Sequence, residues 1–476
     1  MTAAKRFAIV LLFLTGLSWR ICGQTLTTLY SFSGTDGNEP EAALIQGTDG
    51  NFYGTTYEGG NLALNLGNGY GVVFRISAAG NFTNLYSFSG GDGGSPQGGL
   101  VQGGDGNFYG TTQAGGTGTS CGSGGCGTVF RITAGGSLTT LHSFTGNDGA
   151  APEAGLVQGN DGNFYGTTVL GGTNDNGTVF RISPGGSFTN LYLFTGVDGR
   201  WPSGGLTQGG DSNFYGTTVL GGTSTNCSSG CGTVFRISPS GNFTSLYSFS
   251  FTDGAAPQAP LAQGSDGNLY GTTQQGGSRS NYDEGYGTVF GISSSGAFAS
   301  VHVFSGGTNG FVPNGLIQGS DGNLYGTTRT SGLQGAGTVF AISPAGAFAN
   351  VFNLYYARVF AKPYGGLIQG SDGSFYGTTY DGGASFMGSV FKLSVPLNPP
   401  ANQVSGVQLS GTDMVVAIPS VAGETYQLQF SDSISPANWS NVAGGCVSNS
   451  VGALMTLTNF GGASAPQGFY RFAITP

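Results

Sequence analysis

Asp283 and Glu284 are the residues of this chain whose types and spacing best suit acid–base chemistry. Hydrolysis of a glycosidic bond needs two carboxyl groups that flank the sugar, one as acid and one as base or nucleophile. Four further acids lie in segments that could form a cleft with them: Glu58, Glu153, Asp175 and Asp381. None of the six lies in a known catalytic motif. A polysaccharide-degrading enzyme, either a glycoside hydrolase or a lyase, is therefore the alternative and not our first hypothesis.

Aromatic and cationic side chains form a second set of candidates, for ligand binding. Tyrosine, tryptophan and phenylalanine stack on sugar rings and anchor protein interfaces, and arginine often accompanies them. The predicted ligand-binding residues are Arg200, Trp201, Tyr282, Tyr286, Phe311 and Tyr364. The alternative is that these side chains only fill gaps between loops.

Sequence motifs for metals and cofactors are missing. The chain has no HExxH or paired-cysteine metal pattern. His142 and His302 replace a recurring tyrosine, so we expect them to pack and not to act as bases. Oxygen ligands at Asp36, Asn38 and Glu39 leave calcium as an alternative to simple turn capping. We expect no bound metal and no cofactor.

Four of the six cysteines occur as two close pairs. Cys121 and Cys126 lie in CGSGGC, and Cys227 and Cys231 lie in CSSGC, in the same loop of two repeats. We predict two small disulfide-closed loops. A metal site is the alternative, although neither loop holds a histidine or a further thiol. Cys446 has no obvious partner.

A repeated octapeptide determines the scaffold that positions these residues. DGNFYGTT or a close variant occurs seven times, with its aspartates at Asp49, Asp105, Asp161, Asp211, Asp266, Asp321 and Asp372. The spacing is 50 to 56 residues, which is typical of a repeat architecture. Glycine is abundant, at 93 residues, but aromatic residues make up 12% and recur at fixed positions, so a packed core is expected.

Each repeat predicts four short antiparallel strands. In the second copy these are 99–102, 107–112, 127–133 and 138–144, separated by Gly- and Asp-rich turns. Such a unit is a propeller blade, and a solenoid is the competing design. The array opens with a lone fourth strand at 25–32 and closes with only three, at 366–369, 374–379 and 389–394. We therefore predict an all-β, seven-bladed β-propeller that the N-terminal strand closes.

The remaining segments define the other domains. Residues 1–23 predict a signal peptide, with a basic start at Lys5 and Arg6 and an apolar stretch too short to span a bilayer comfortably. The propeller occupies 24–395 and a Pro-rich linker 396–401. Residues 402–476 predict a small β-sandwich with strands at 414–418, 425–430, 454–458 and 469–474, and with Trp439 in its core.

The net charge and the predicted signal peptide reduce the classes of binding partner that we expect. Removal of Lys5, Arg6 and Arg20 with the signal leaves 11 basic and 23 acidic residues, a net charge of −12. Nucleic acid and anionic membrane are therefore not expected as partners. We expect a monomer that has no membrane span and is exported to the periplasm, the cell surface or the medium.

Propeller geometry separates a uniform face from a variable one. Turns between strands one and two and between three and four are monotonous, whereas the two-to-three and blade-to-blade loops vary in length and content. Function usually lies on variable loops over a rigid scaffold. Seven glutamines at the ends of the first strands are expected to bond to neighbouring backbone near the central channel.

The pattern GLxQGxDGNFYGTTxxGG…GTVFRISxxGxFTxLYSFxGxDGxxP resembles the GloVer tandem repeat of bacterial exported proteins. Gly291 and Ala341 depart from it, because they replace the arginine of FRIS. The tail, with ETYQLQF and GFYRFAI, is similar to a C-terminal β domain of bacterial surface proteins. The resemblance implies an exported propeller and no established activity.

We predict an exported, non-catalytic binding or surface-interaction module for an extracellular polysaccharide or a surface protein. The alternatives are an enzyme on the same face and a purely structural envelope component. Carboxyl groups 5–10 Å apart in a cleft would favour the enzyme, and a flat aromatic patch would favour binding.

Overall fold

The computed structural model describes residues 24–277, 284–330, 335–354 and 362–395, together with the backbone of six strands beyond residue 405. The chain divides into two compact units at Val395. The signal peptide and the linker lie outside the described residues and stay predictions.

Four-stranded antiparallel sheets build the first unit, seven in number. The fourth strand of the last blade comes first in the chain, as β1 (Thr25–Ser31). Blades 1 to 3 are β2 (Ile45–Gln46), β3 (Phe52–Thr56), β4 (Val72–Ile76), β5 (Phe82–Ser87); β6 (Val101–Gln102), β7 (Phe108–Thr112), β8 (Thr128–Ile132), β9 (Leu138–Ser143); β10 (Val157–Gln158), β11 (Phe164–Thr168), β12 (Thr178–Ile182), β13 (Phe188–Leu193). Blades 4 to 7 are β14 (Thr207–Gln208), β15 (Phe214–Thr218), β16 (Thr233–Ile237), β17 (Phe243–Ser248); β18 (Ala262–Gln263), β19 (Leu269–Thr273), β20 (Thr288–Ile292), β21 (Phe298–Val303); β22 (Phe311–Gln318), β23 (Leu324–Thr330), β24 (Thr338–Ile342), β25 (Phe348–Asn353); β26 (Ile368–Gln369), β27 (Phe375–Thr379) and β28 (Ser389–Ser394). The predicted seven-bladed propeller is confirmed.

The second strand of each blade has a buried five-residue stretch because neighbouring blades cover both of its faces. In β3 all five residues of Phe-Tyr-Gly-Thr-Thr are buried. The central Gly54 is required by packing: a Cβ there would lie 2.6 Å from the Phe74 ring and 2.8 Å from Leu44. The same glycine recurs in every copy, so one steric solution is used seven times.

Neighbouring blades are joined by a repeated pair of contacts. The Tyr53 ring stacks on Phe108 of the next blade with centroids 3.9 Å apart. The Thr111 hydroxyl donates to the Ala154 carbonyl oxygen of the next blade at 2.8 Å, in a buried position. Burial of an aromatic side chain contributes about 1.5–3 kcal/mol, so these interfaces dominate the stability of the ring.

Closure of the ring uses the N-terminal strand, as predicted. β1 pairs antiparallel with β28, with Thr25 opposite Ser394 and Thr28 opposite Phe391. The contact between blades 7 and 1 repeats the ordinary one: Phe52 stacks on Tyr376 at 4.0 Å, and the Thr378 hydroxyl donates to the Ala42 carbonyl oxygen at 3.0 Å. No solenoid end is left in this unit.

Glutamines at the ends of the first strands form a ring on the uniform face. The side-chain carbonyl of Gln102 accepts from the Thr48 backbone amide at 2.9 Å, and that of Gln46 accepts from Ser371 at 2.9 Å across the closure. The repeat aspartates bond locally: the Asp105 carboxylate accepts from the Asn107 amide and the Tyr109 hydroxyl, both at 2.7 Å. These polar groups make the hydrogen bonds to neighbouring backbone and within turns that the sequence predicted.

Disulfides join Cys121 to Cys126 and Cys227 to Cys231, as expected from the sequence. Both histidines pack: His142 stacks on Phe188 at 3.9 Å, and His302 stacks on Phe348 at 4.3 Å.

The second unit contains two three-stranded antiparallel sheets. One is formed by β29 (Gly406–Ser410), β30 (Asp413–Pro419) and β33 (Leu454–Asn459); the other by β31 (Thr425–Ser431), β32 (Ser440–Ser448) and β34 (Phe469–Thr475). All four strands predicted for this unit are present. The packing of the sheets as a sandwich stays a prediction, and Trp439 lies outside the described residues. Cys446 is a residue of β32.

Candidate functional site

The chain enters each blade from the variable face through a three-residue segment with proline in the centre. The residue before that proline adopts a left-handed conformation in all seven blades, with φ between 48° and 59°. These residues are Glu39, Ser95, Ala151, Trp201, Ala256, Val312 and Lys362. Backbone bonds hold the conformation: Ser95 donates to the Tyr70 carbonyl oxygen at 2.9 Å and accepts from the Gln113 amide at 3.1 Å. The scaffold thus fixes the backbone at seven equivalent points.

Side chains just after these prolines converge on the propeller axis. They line a cavity of about 330 Å³ at the variable-face end of the channel. The residues at this position are Glu41, Gln97, Glu153, Ser203, Gln258 and Tyr364, with Asn314 serving blade 6. This cavity is called the axial cavity below. Its lining differs from blade to blade although the blades themselves are nearly identical.

Blade 6 is one residue shorter between its proline and the first core leucine, Pro313 to Leu316. Asn314 therefore takes the place that a small residue holds in the other blades, and its carbonyl oxygen accepts from the buried Thr272 hydroxyl at 3.0 Å. Its side-chain amide donates to the Thr327 hydroxyl at 3.0 Å and to the Pro363 carbonyl oxygen. The one-residue deletion therefore places a buried polar side chain where the other blades have a small residue.

A third variable position follows the GTT of each second strand. It holds Tyr57, Gln113, Val169, Val219, Gln274, Arg329 and Tyr380 in blades 1 to 7. Tyr57 donates its hydroxyl proton to the side-chain carbonyl of Gln113 at 3.0 Å, and the Gln113 amide donates to Glu153 at 3.1 Å. The Glu153 carboxylate is therefore oriented by a chain of bonds that crosses blades 1 to 3.

Glu41 is the acid whose protonation the cavity changes most. Burial raises the pKa of its carboxyl to about 7, against 4.5 for an ordinary glutamate. The charges of Glu39 and Glu153 also raise the pKa, whereas a bond with Gln97 and the charge of Arg329 lower it. Burial likewise raises the pKa of Glu153. Near neutral pH, the cavity can therefore hold a carboxylic acid and donate a proton.

Arg329 is the cation of the axial cavity. Its Nε donates to the Asn314 side-chain oxygen at 2.8 Å, and its guanidinium carbon lies 4.2 Å from the centre of the Tyr364 ring. Tyr364 in turn packs on Tyr380 at 4.8 Å. The stack holds the guanidinium in place from one side and leaves its outer edge for other partners.

Two polar atoms at the axial cavity have no hydrogen-bond partner in the described part of the chain. They are the side-chain carbonyl oxygen of Gln97 and the hydroxyl oxygen of Ser203, both buried. A buried polar atom without a partner costs about 1–3 kcal/mol.

The aromatic residues chosen from the sequence are only partly brought together. The Arg200 guanidinium lies 4.6 Å from the Trp201 ring centre on blade 4, and Tyr286 meets Phe311 edge to face at 5.6 Å. Tyr364 lines the axial cavity instead. The predicted ligand-binding role of these residues stays a prediction.

The acids chosen from the sequence lie mostly elsewhere. Tyr282 and Asp283 fall outside the described residues, and exposed Glu284 accepts from Gln275 at 3.1 Å. Asp381 is paired with Lys362 at 2.8 Å. Of the acids named as possible catalysts, Glu153 reaches the axial cavity. Its charge partner there, Glu41, was not among them.

The described residues hold no group of three or more His, Cys, Asp or Glu side chains that could bind a metal ion. Within the same residues, no helix has the length and apolarity needed to cross a bilayer.

Comparison with known proteins identifies the repeat. A model of the Gloeobacter/Verrucomicrobia repeat matches residues 15–121, 116–313 and 278–405. The chain belongs to this repeat family. The resemblance drawn from the octapeptides is thereby confirmed. No curated protein matches the sequence.

Solved structures with a related shape are distant. A putative 6-phosphogluconolactonase from Bacteroides uniformis is 14% identical, with 81% of this chain and 95% of that chain covered and a TM-score of 0.44. A periplasmic gluconolactonase from Pseudomonas aeruginosa is 16% identical, with 73% and 99% covered and a TM-score of 0.39. A copper-bound fungal alcohol oxidase is 13% identical, with 94% and 98% covered and a TM-score of 0.45. We infer neither ligand nor reaction from likenesses at this level.

Proposed function

We propose that this protein is an exported binding module that holds a small, hydroxyl-rich ligand, such as the end of an extracellular polysaccharide, in the axial cavity. One observation supports this most directly. The seven blades repeat their core, turns and interface contacts, yet the side chains that converge on the axis are Glu, Gln, Glu, Ser, Gln, Asn and Tyr. A purely structural ring has no need for polar groups that vary in this way among its blades.

The shape and chemistry of the cavity favour the end of a saccharide over a protein partner. Ligand pockets span roughly 300–1,000 Å³, and this cavity, at about 330 Å³, is at the small end of that range. Its amide, carboxyl and hydroxyl groups suit a ligand that both donates and accepts hydrogen bonds.

Export is supported by the two disulfides, since such bonds persist in oxidising compartments. The signal peptide, and a polysaccharide or surface protein as the partner, are part of the same proposal.

Acid–base catalysis on the bound ligand is the second candidate function. It is favoured by the environment of Glu41, whose pKa of about 7 suits a proton donor, and by the second carboxyl group of Glu153 in the same cavity. The catalytic pair would then be Glu41 and Glu153, in place of Asp283 and Glu284.

A saccharide screen tests both functions. The purified full-length protein would be applied to a glycan array, and positive sugars would be titrated calorimetrically with wild type, Glu153→Gln and Glu284→Gln. We expect Glu153→Gln to weaken binding roughly tenfold through loss of a charge-assisted bond, and Glu284→Gln to leave it unchanged. Absence of binding to every glycan would contradict the proposal and favour a structural envelope role.

Analysis of the same mixtures for released products distinguishes binding from catalysis. If products form in wild type and disappear in Glu41→Gln while binding remains, the protein is an enzyme. If the ligand is recovered intact, it is a binding module.

A further inference from the structure

We propose that the ligand of the axial cavity carries a carboxylate, as hexuronic acids do, and that Arg329 binds this group. This inference rests on the proposed function, because it names the chemical class of the ligand for the same site. It is based on the ion pairs and hydrogen bonds that the Arg329 guanidinium makes, and does not make, among the described residues.

Arg329 is a partly buried cation without an ion-pair partner. Within the described part of the chain, no carboxylate oxygen lies within 4 Å of its guanidinium; the ion pairs there involve His142, Lys362 and Lys392. Burial lowers the pKa of Arg329, which reflects the cost of keeping this charge away from water. An unpaired buried charge is expensive, so its retention calls for an anion that is supplied from outside.

The fork of Arg329 is oriented for such an anion. Within the described residues only Nε makes a hydrogen bond, which it donates to Asn314. The two Nη groups have no acceptor among the described residues. The flat face of the guanidinium is fixed on the Tyr364 ring, so less rotamer freedom remains to be lost on binding. A planar guanidinium with its outer edge open matches a carboxylate through two parallel hydrogen bonds.

The acids of the cavity select the kind of anion. The charges of Glu39 and Glu153 raise the pKa of Glu41. Together these three acids make the region hostile to a doubly charged phosphate or sulfate. A single carboxylate is tolerated when Glu41 is protonated, which its raised pKa permits near neutrality. Protonated Glu41 then faces the ring hydroxyls of the sugar.

This arrangement predicts a pH dependence for the acidic ligand. The groups that act on Glu41 are the acids Glu39 and Glu153, the cation Arg329 and the amide of Gln97. As the pH rises through about 7, Glu41 becomes negative and repels the bound carboxylate. Affinity should therefore fall between pH 6 and pH 8, and binding at pH 7 should take up protons from the buffer.

Matched sugars test the inference in the full-length protein. The probes are a methyl hexuronide, the corresponding uronamide, which has the same shape but no charge, and the neutral methyl hexoside. We expect calorimetry at pH 6 to show the uronide bound roughly tenfold or more tightly than the uronamide. Arg329→Gln should abolish this ratio and keep the uronamide affinity, which also shows that the variant is folded. Lys362→Gln removes a cation already paired with Asp381 and should preserve the ratio.

Each other outcome has a distinct meaning. Equal affinity of wild type for uronide and uronamide, or an unchanged ratio in Arg329→Gln, would overturn the inference while the proposed saccharide site stands. Absence of binding for all three sugars and for every other glycan would overturn both.

Discussion

At the scale of single residues, position in the ring decides chemistry more than residue type. Glu41 and Glu284 are both glutamates on the variable face. Glu284 is exposed and bonds to Gln275, whereas Glu41 lies against the axis among Glu39, Glu153 and Arg329. The environment of Glu41 makes its carboxyl group a proton donor near neutral pH.

Glu41 should make the propeller less stable as the pH rises. Its folded pKa of about 7 exceeds the ordinary value of 4.5, so the folded state favours the protonated form. Its contribution is fully present below pH 4.5 and is lost as the pH rises to about 7. We expect Glu41→Gln to raise the free energy of unfolding by about 1–3 kcal/mol at pH 8, with the gain vanishing near pH 4.5.

Denaturant titrations at several pH values measure this difference. Glu284→Gln removes the same charge from an exposed position and serves as the control. A stability difference that does not vary with pH would contradict the environment assigned to Glu41.

The sequence could predict which residue types are available, but not that their side chains come together at the propeller axis. Glu41, Gln97 and Glu153 are spaced by a whole repeat, and only ring closure brings them together. One signal was present: alignment of the seven repeats shows that the residues flanking each proline, and the residue after GTT, vary inside an otherwise constant pattern.

At the scale of elements, β1 supports the last blade. It covers the edge of β28, which would otherwise expose unpaired amides and carbonyls. The strand was predictable because a lone fourth strand at one end matched a missing one at the other. The left-handed residues before the prolines were not predictable, since they arise from backbone bonds between blades, whereas the shortened entry to blade 6 can be read from the spacing of Pro313 and Leu316.

Proline substitutions in β1 test this element. Consecutive amides of a strand point to opposite sides, so Thr27→Pro/Thr28→Pro removes one amide that faces β28. We expect the amides of Ser389–Ser394 to lose protection against hydrogen exchange in this double variant, while those of Phe214–Thr218 on the far side of the ring stay protected. Thr27→Ala/Thr28→Ala is the matched control, because it keeps both amides. Unchanged protection of Ser389–Ser394 in the proline variant would show that β1 does not close the ring.

At the scale of the whole propeller, the ring has two unlike ends. Glutamines and DGN turns repeat around one end and satisfy one another, as in the bond between Gln102 and Thr48. At the variable-face end, the residues that follow the prolines differ between blades. Among the described residues, some of their polar atoms, such as the Ser203 hydroxyl, have no hydrogen-bond partner. Near-identical blades thus provide a rigid frame, and three variable positions in each blade give the axis its chemistry.

The most direct measurement is saccharide binding by a variant whose axial cavity is filled. Ser203→Trp places a large ring in the cavity, Ser203→Ala removes only the hydroxyl, and Arg200→Ala removes the guanidinium that lies over the Trp201 ring in the same blade. We expect calorimetry with a glycan that binds wild type to show no binding to Ser203→Trp, a change of less than about tenfold for Ser203→Ala, and wild-type affinity for Arg200→Ala. Wild-type affinity in Ser203→Trp together with loss of binding in Arg200→Ala would place the site on the loops and contradict a ligand on the axis.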